Sequence, residues 1–240
     1  MGSPKMNNSM WYVMKRIGKA IFNEEMLGPE APVLVGLSGG FASMALLKGL
    51  VERRKRVPYK HPVVPAFVYD GVHGPPDEVA EVLKAWCKTM DLDLLVDKQL
   101  QPNDNHFDPV PHGWRLAALA RQAGAPYIAL GHTVVDRAVG ILEAMVCEGV
   151  VRDAPTRESL ITEDGDTYVV VRPVSLITSQ AVLDAATDEF LPYRARQVAP
   201  PGAELKNLLG DFVINKKGAP LEKLMNVVNA PGRIHGKYMA

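Results

Sequence analysis

Cysteine is almost missing: the 240 residues hold two, Cys87 and Cys147. They form no C-x-x-C pair and no disulfide framework, so they read as two structural thiols in a reducing compartment. Net charge is missing too, since 27 basic residues balance 27 acidic ones. No overall field draws such a chain to nucleic acid or to an anionic membrane, and contact with RNA requires a local patch. No apolar run reaches the roughly 18 residues that cross a bilayer, and the amino terminus lacks a charged-then-apolar signal pattern. These absences point to a cytoplasmic protein with no membrane partner. Internal repeats and low-complexity tracts are absent as well, while 47% hydrophobic residues suffice for a sizeable core and exclude disorder as the main state. Met1-Gly2-Ser3-Pro4 reads as a frayed end or an expression remnant and carries no weight in the fold.

What is present alternates. Met10, Val13, Met14, Ile17 and Ile21 recur at helical spacing, which predicts a leading helix from Met10 to Met26 with Ser9 as N-cap. Val33 to Leu37 is a short continuous apolar run, the mark of a buried strand, and Met44 to Arg54 is helical. Strands follow at Val63 to Tyr69, Leu92 to Val96 and Tyr127 to Leu130, between helices at Asp77 to Met90, Gly113 to Ala123 and Val134 to Cys147. Such alternation predicts an α/β fold, a doubly wound, mostly parallel sheet of about five strands with helices on both faces. Ser159 to Thr162 and Thr167 to Val171 flank Glu163-Asp164-Gly165-Asp166 and read as an inserted hairpin. A helix at Thr178 to Glu189 follows, then a small helical region with Glu204 to Val213 and Pro220 to Val228. From Asn229 the tail is Gly-rich and basic. The expected units are 1–26, a leading helix; 27–202, the α/β domain; and 203–240, terminal helices and tail.

Ser38-Gly39-Gly40-Phe41-Ala42-Ser43 lies between a buried strand and a helix. A turn of this kind leaves backbone N–H groups pointing outward at the positive end of a helix dipole, a nest for phosphate. Gly39 and Gly40 permit the tight turn, and Ser38 and Ser43 add hydroxyls. A G-x-x-x-x-G-K-[ST] loop is absent, which excludes a Walker-type site. Taken alone, a ligand-free strand-to-helix turn accounts for the segment equally well.

Read with its neighbours, the loop acquires a likeness. Ser38-Gly39-Gly40-x-x-Ser43, the later Ala129-Leu130-Gly131-His132 with Asp136 behind it, and Arg172-Pro173 after the hairpin together resemble the PP-loop ATP pyrophosphatase superfamily. Within it, the chain is similar to tRNA 2-thiocytidine synthetases and tRNA(Ile)-lysidine synthetases, from the leading helix to about Phe212. The resemblance implies a Rossmann-like (HUP-type) fold with an adenine nucleotide, ATP or AMP, across the carboxyl ends of the strands. It further implies nucleotide contacts from Ser38, Gly39, Gly40, Ser43, Asp70, Gly131, His132 and Asp136, with tRNA as the family's substrate.

The chain departs from that pattern in four places. The family loop reads S-G-G-x-D-S, and its aspartate is here Ala42; in the second motif, G-H-x-x-D-D-x-x-E-T, Val135, Val139 and Gly140 replace an aspartate, a glutamate and a threonine. Both family C-x-x-C pairs are also missing, at places that align near Asn105 and Asp108 and near Tyr193 and Arg196. The expectation is a catalytically silent relative, without an iron–sulfur cluster and without Mg²⁺, acting through a protein partner or as a ligand sensor. The alternatives are an ATP-dependent tRNA-modifying transferase with displaced catalytic groups, and a scaffold whose phosphate site is also dead. A homodimer is compatible with any of these.

Other groups admit two readings each. Asp104, His106, Asp108 and His112 crowd one loop, as a metal site or as polar surface. His132 reads as a nucleotide contact or as a structural hydrogen bond, and Asp70 as an adenosine contact or a strand-end turn residue. Arg53, Arg54, Lys55, Arg56 and Lys60 read as an RNA-facing patch or as solvated cations at a helix end.

Overall fold

A computed structural model describes residues 6–195 except 29, 59–60, 70–72, 99–111, 149 and 151–154. Asp70, the three loop residues Asp104, His106 and Asp108, Lys60 and the terminal helices after 203 lie outside the described residues.

Six strands form one sheet in the order β3-β2-β1-β4-β6-β5. They are β1 (Val33–Leu37), β2 (Val63–Val68), β3 (Leu95–Asp97), β4 (Tyr127–Ala129), β5 (Arg157–Ile161) and β6 (Thr167–Val171). All neighbours run parallel except β5 and β6. Val33 is in register with Val63 on one side and Tyr127 on the other, and Tyr127 with Val169 beyond. The helices are α1 (Asn8–Asn23), α2 (Phe41–Arg54), α3 (Pro76–Lys88), α4 (Gly113–Ala123), α5 (Val134–Glu143) and α6 (Ser179–Asp188).

The continuous apolar run of β1 serves two faces. Val33, Val35 and Leu37 join a core with residues of α1, α2, α3 and α6, whereas Leu34 joins a second core with Leu116, Ala117 and Ala120 of α4. Period-two alternation delivers both sets, which is why a parallel strand covered on both sides reads as unbroken hydrophobicity. Each fully buried Val or Leu contributes about 1.5–3 kcal/mol.

Four expectations need correction. Asn7, not Ser9, caps α1: its side chain accepts from Met10 N–H at 2.8 Å, while the Ser9 hydroxyl donates to Asp188 at 2.6 Å. The Asn carbonyl two positions further out reaches the first turn with better geometry. The third strand begins at Leu95 rather than Leu92, because the chain leaves α3 through Asp91 at φ 56° and turns before it can pair. Around Cys147 the helix widens into a π-turn, Ala144–Glu148. Finally, the hairpin is no insertion: β6 pairs with β4 as a parallel strand of the main sheet, and β5 is its antiparallel edge.

Candidate functional site

The Ser38–Ser43 turn leaves β1 at its carboxyl end. Gly39 has φ 90°, in the region that glycine enters without a Cβ penalty, and Gly40 is the N-cap of α2 in an extended conformation. No side-chain hydrogen bond caps α2, and the first carbonyl partner within the turn is Gly40 C=O, taken by Met44 N–H at 3.3 Å. The first helical turn, Phe41-Ala42-Ser43, therefore presents the N–H groups that every helix start leaves over. The two serines brace this turn. Ser38 N–H donates to Ser43 Oγ at 3.4 Å, Gly40 N–H to Ser38 Oγ at 3.3 Å, and the Ser43 hydroxyl to Gly40 C=O at 3.0 Å. Without a ligand, the hydroxyls of Ser38 and Ser43 are engaged within the turn.

Gly131 explains itself sterically. A Cβ there would lie 2.5 Å from Ser43 N and 2.8 Å from the Ala42 carbonyl carbon. Only glycine lets the end of β4 press against the first turn of α2, and this contact joins the two sequence motifs. His132, the next residue, accepts at Nδ1 from Arg172 Nε at 3.1 Å. Arg172 is almost fully buried, and its other nitrogens donate to Pro155 C=O at 3.1 Å and to the Glu158 carboxylate. The guanidinium so orients the ring from the β5–β6 hairpin, and a bonded Nδ1 leaves the ring proton at Nε2.

Asp136 bonds within its own helix start. Its Oδ2 accepts from Thr133 N–H at 2.6 Å and from the Thr133 hydroxyl at 2.7 Å, and that hydroxyl also meets Ser179 Oγ at 2.7 Å. The carboxylate closes the amino terminus of α5. Ala42 packs against the core and Val139 is buried, so two of the positions that differ from the family pattern are filled by apolar contacts.

Sequence reasoning missed four groups. His73, 7% exposed, lies over the loop, its Nε2 3.1 Å from where a Cβ on Gly40 would sit. Arg194 N–H donates to Gly39 C=O at 2.9 Å, and its guanidinium meets Glu78 at 3.0 Å. Tyr193 stands edge-on to Phe41 at 6.2 Å. Arg115, 1% exposed, ties the ends of two strands by donating to Asp97 Oδ2 at 2.8 Å and to Tyr69 C=O at 3.0 Å. The signal for Arg115 was available, as a lone cation beside Leu116, Ala117 and Ala120 on the buried stripe of α4. For His73 and Arg194 the sequence holds none, since both arrive from distant loops. Of the metal candidates only His112 is described, as the left-handed N-cap of α4. Among the described residues no three metal-ligating side chains converge, and no helix is long and apolar enough to cross a membrane.

No family model matches the chain. It is 28% identical over 190 residues to the tRNA-cytidine(32) 2-sulfurtransferase of Aromatoleum aromaticum, covering 72% of this chain and 57% of that protein. It is 30% identical over 168 residues to the tRNA(Ile)-lysidine synthase of Caulobacter vibrioides, covering 67% and 40%. The chain thus spans little more than half the length of the first of these relatives and less of the second. Among solved structures, the U34-tRNA thiolase NcsA from Methanococcus maripaludis, with its [4Fe-4S] cluster, shares the fold at a TM-score of 0.73 and 17% identity, over 94% of this chain and 79% of that one. This corrects the expectation about cofactors. A protein of the same fold carries an iron–sulfur cluster, so this fold accommodates one. The missing C-x-x-C pairs therefore do not exclude one. The chain's two cysteines fall short of a four-thiolate set on their own. Cys87 is buried in α3, and burial pushes its thiol up to about 12.

Proposed function

We propose, for a PP-loop protein whose homologues are tRNA-cytidine(32) 2-sulfurtransferases and tRNA(Ile)-lysidine synthases, that the chain binds an adenine nucleotide at the carboxyl edge of its sheet without turning it over. The observation that carries this reading is the packing of Gly131 on the first turn of α2, which builds one anion-facing corner from two separate motifs. Phosphate sits on the N–H groups of Phe41 to Ser43, favoured by the helix dipole, with His132 beside it in the orientation that Arg172 sets. Silence follows from Ala42, Val135 and Val139. Adenylyl transfer relies on groups that neutralise developing charge, and these three side chains offer none.

A tRNA is the proposed second ligand, supported by the names of the relatives, which act on tRNA. Calorimetric titration of ATP and AMP, with a pyrophosphate-release assay on tRNA in the same buffer, tests both halves. Binding of either nucleotide without pyrophosphate turnover is expected. Turnover overturns the silence, and absence of any nucleotide binding overturns the site.

A further inference from the structure

The end of the molecule away from the phosphate loop carries an unusual surface. α2 starts at the loop and runs about 20 Å to Arg54; it packs on the inner face of α1 through Gly49 against Ile17, and Arg56 beyond its end reaches Trp11 on the outer face. Trp11, Lys15, Lys19 and Phe22 form one stripe on that face at spacings of four, four and three, the positions that stack on a helix. All four are exposed, Phe22 to 81%, and Tyr12 beside Trp11 to 47%. The Trp11 ring holds two cations against it, the Lys15 ammonium at 4.9 Å and the Arg56 guanidinium at 5.2 Å from its centre. Arg54 and Lys55 are exposed next to Arg56, and Lys55 also pairs with Glu52 at 2.9 Å. At the start of α1, Asp188 accepts from the Ser9 hydroxyl and Glu189 from the Asn7 N–H at 3.1 Å.

Helix capping explains cations at the end of α2. It does not explain three exposed aromatic rings on the neighbouring helix. Rings interleaved with cations suit unpaired bases and the phosphates between them, because every base has a face to stack and every linkage a charge. An acidic protein would satisfy the cations and leave the rings without a matching partner. From Trp11 to Phe22 the stripe is about 16 Å long, the span of several nucleotides.

We infer that the outer face of α1, with Arg54 to Arg56 of α2, is a docking surface for an RNA with unpaired bases. This deepens the RNA part of the proposed function and is independent of the nucleotide part. The ring of Trp11 holds Lys15 and Arg56 in place before RNA arrives, and Tyr12 and Phe22 take the bases.

The test is fluorescence polarisation of a labelled tRNA against the full chain, over a salt series, with an unstructured RNA, an RNA duplex and an acidic peptide as competitors. Trp11→Ala with Phe22→Ala is expected to weaken tRNA binding at least tenfold, and Lys15→Glu with Arg56→Glu to weaken it and lower the salt slope by about one per cation. The unstructured RNA should compete better than the duplex. Calorimetric nucleotide binding should stay unchanged in both variants; if the aromatic pair fails to fold, the charge pair and Lys19→Glu decide. A wild-type chain that binds no RNA overturns the RNA reading together with this surface. Wild-type binding that survives every variant overturns the surface alone, and an acidic peptide competing as well as RNA shows a protein-docking face instead.

Discussion

Two strand-to-helix turns stand side by side on the sheet, one after β1 and one after β4, and they treat the start of their helices in opposite ways. After β4, Thr133 and Asp136 close the amino terminus of α5 with the chain's own carboxylate. After β1, α2 has no side-chain cap, and both serines are spent on holding the turn. The same backbone device thus yields one helix start closed by a capping box and one with no side-chain cap. A carboxylate in the sequence near a glycine turn is therefore not yet a ligand contact. What it does depends on which N–H groups it reaches first.

The contact between the two turns is the most sensitive point of this corner. Gly131→Ala places a Cβ 2.5 Å from a backbone nitrogen that cannot rotate away, and overpacking against backbone exceeds the usual 1–3 kcal/mol for such insertions. Urea unfolding should show a loss of about 3 kcal/mol or more, with nucleotide binding gone; a stable variant that still binds would show that the turns are not coupled.

Gly39→Val acts on the open turn only. It forces a β-branched residue to φ 90° with a Cβ 3.0 Å from Val79 Cγ1, at about 1–3 kcal/mol of local strain. Nucleotide affinity should fall more than tenfold while the fold persists, as circular dichroism and calorimetry on one sample would reveal. Unchanged affinity in a folded variant makes the loop a turn and nothing more.

Asp136→Ala sharpens the contrast from the sealed side. Loss of the cap should cost about 1 kcal/mol of stability and leave nucleotide affinity where it was. A fall in affinity as large as that for Gly39→Val would return Asp136 to the nucleotide site.

Much of this was legible in advance, for a local reason. The strand-helix alternation, the buried β1 and the glycine turn follow from periodicity and from the conformations that glycine permits. Arg115 left a local signal too, as a cation on an apolar stripe, although sequence reasoning missed it. The joining of Gly131 to Ser43, the hold of Arg172 on His132 and the roof of His73 over Gly40 were not legible, because each spans from 33 to 88 residues of chain. The stripe on α1 was half legible: its helical period was plain, but Trp11 could as well have turned inward.

Local pattern was enough to mark most of the strands and helices and the glycine turn between β1 and α2, since these depend on residues next to one another. Tertiary structure alone decided that β6 extends the sheet rather than standing apart, that Asp136 caps a helix, and that Trp11, Tyr12 and Phe22 stay at the surface beside Arg56. Those outcomes turn on which face of an element finds a partner. That is settled when distant elements compete for the same apolar surface and the same hydrogen-bond donors.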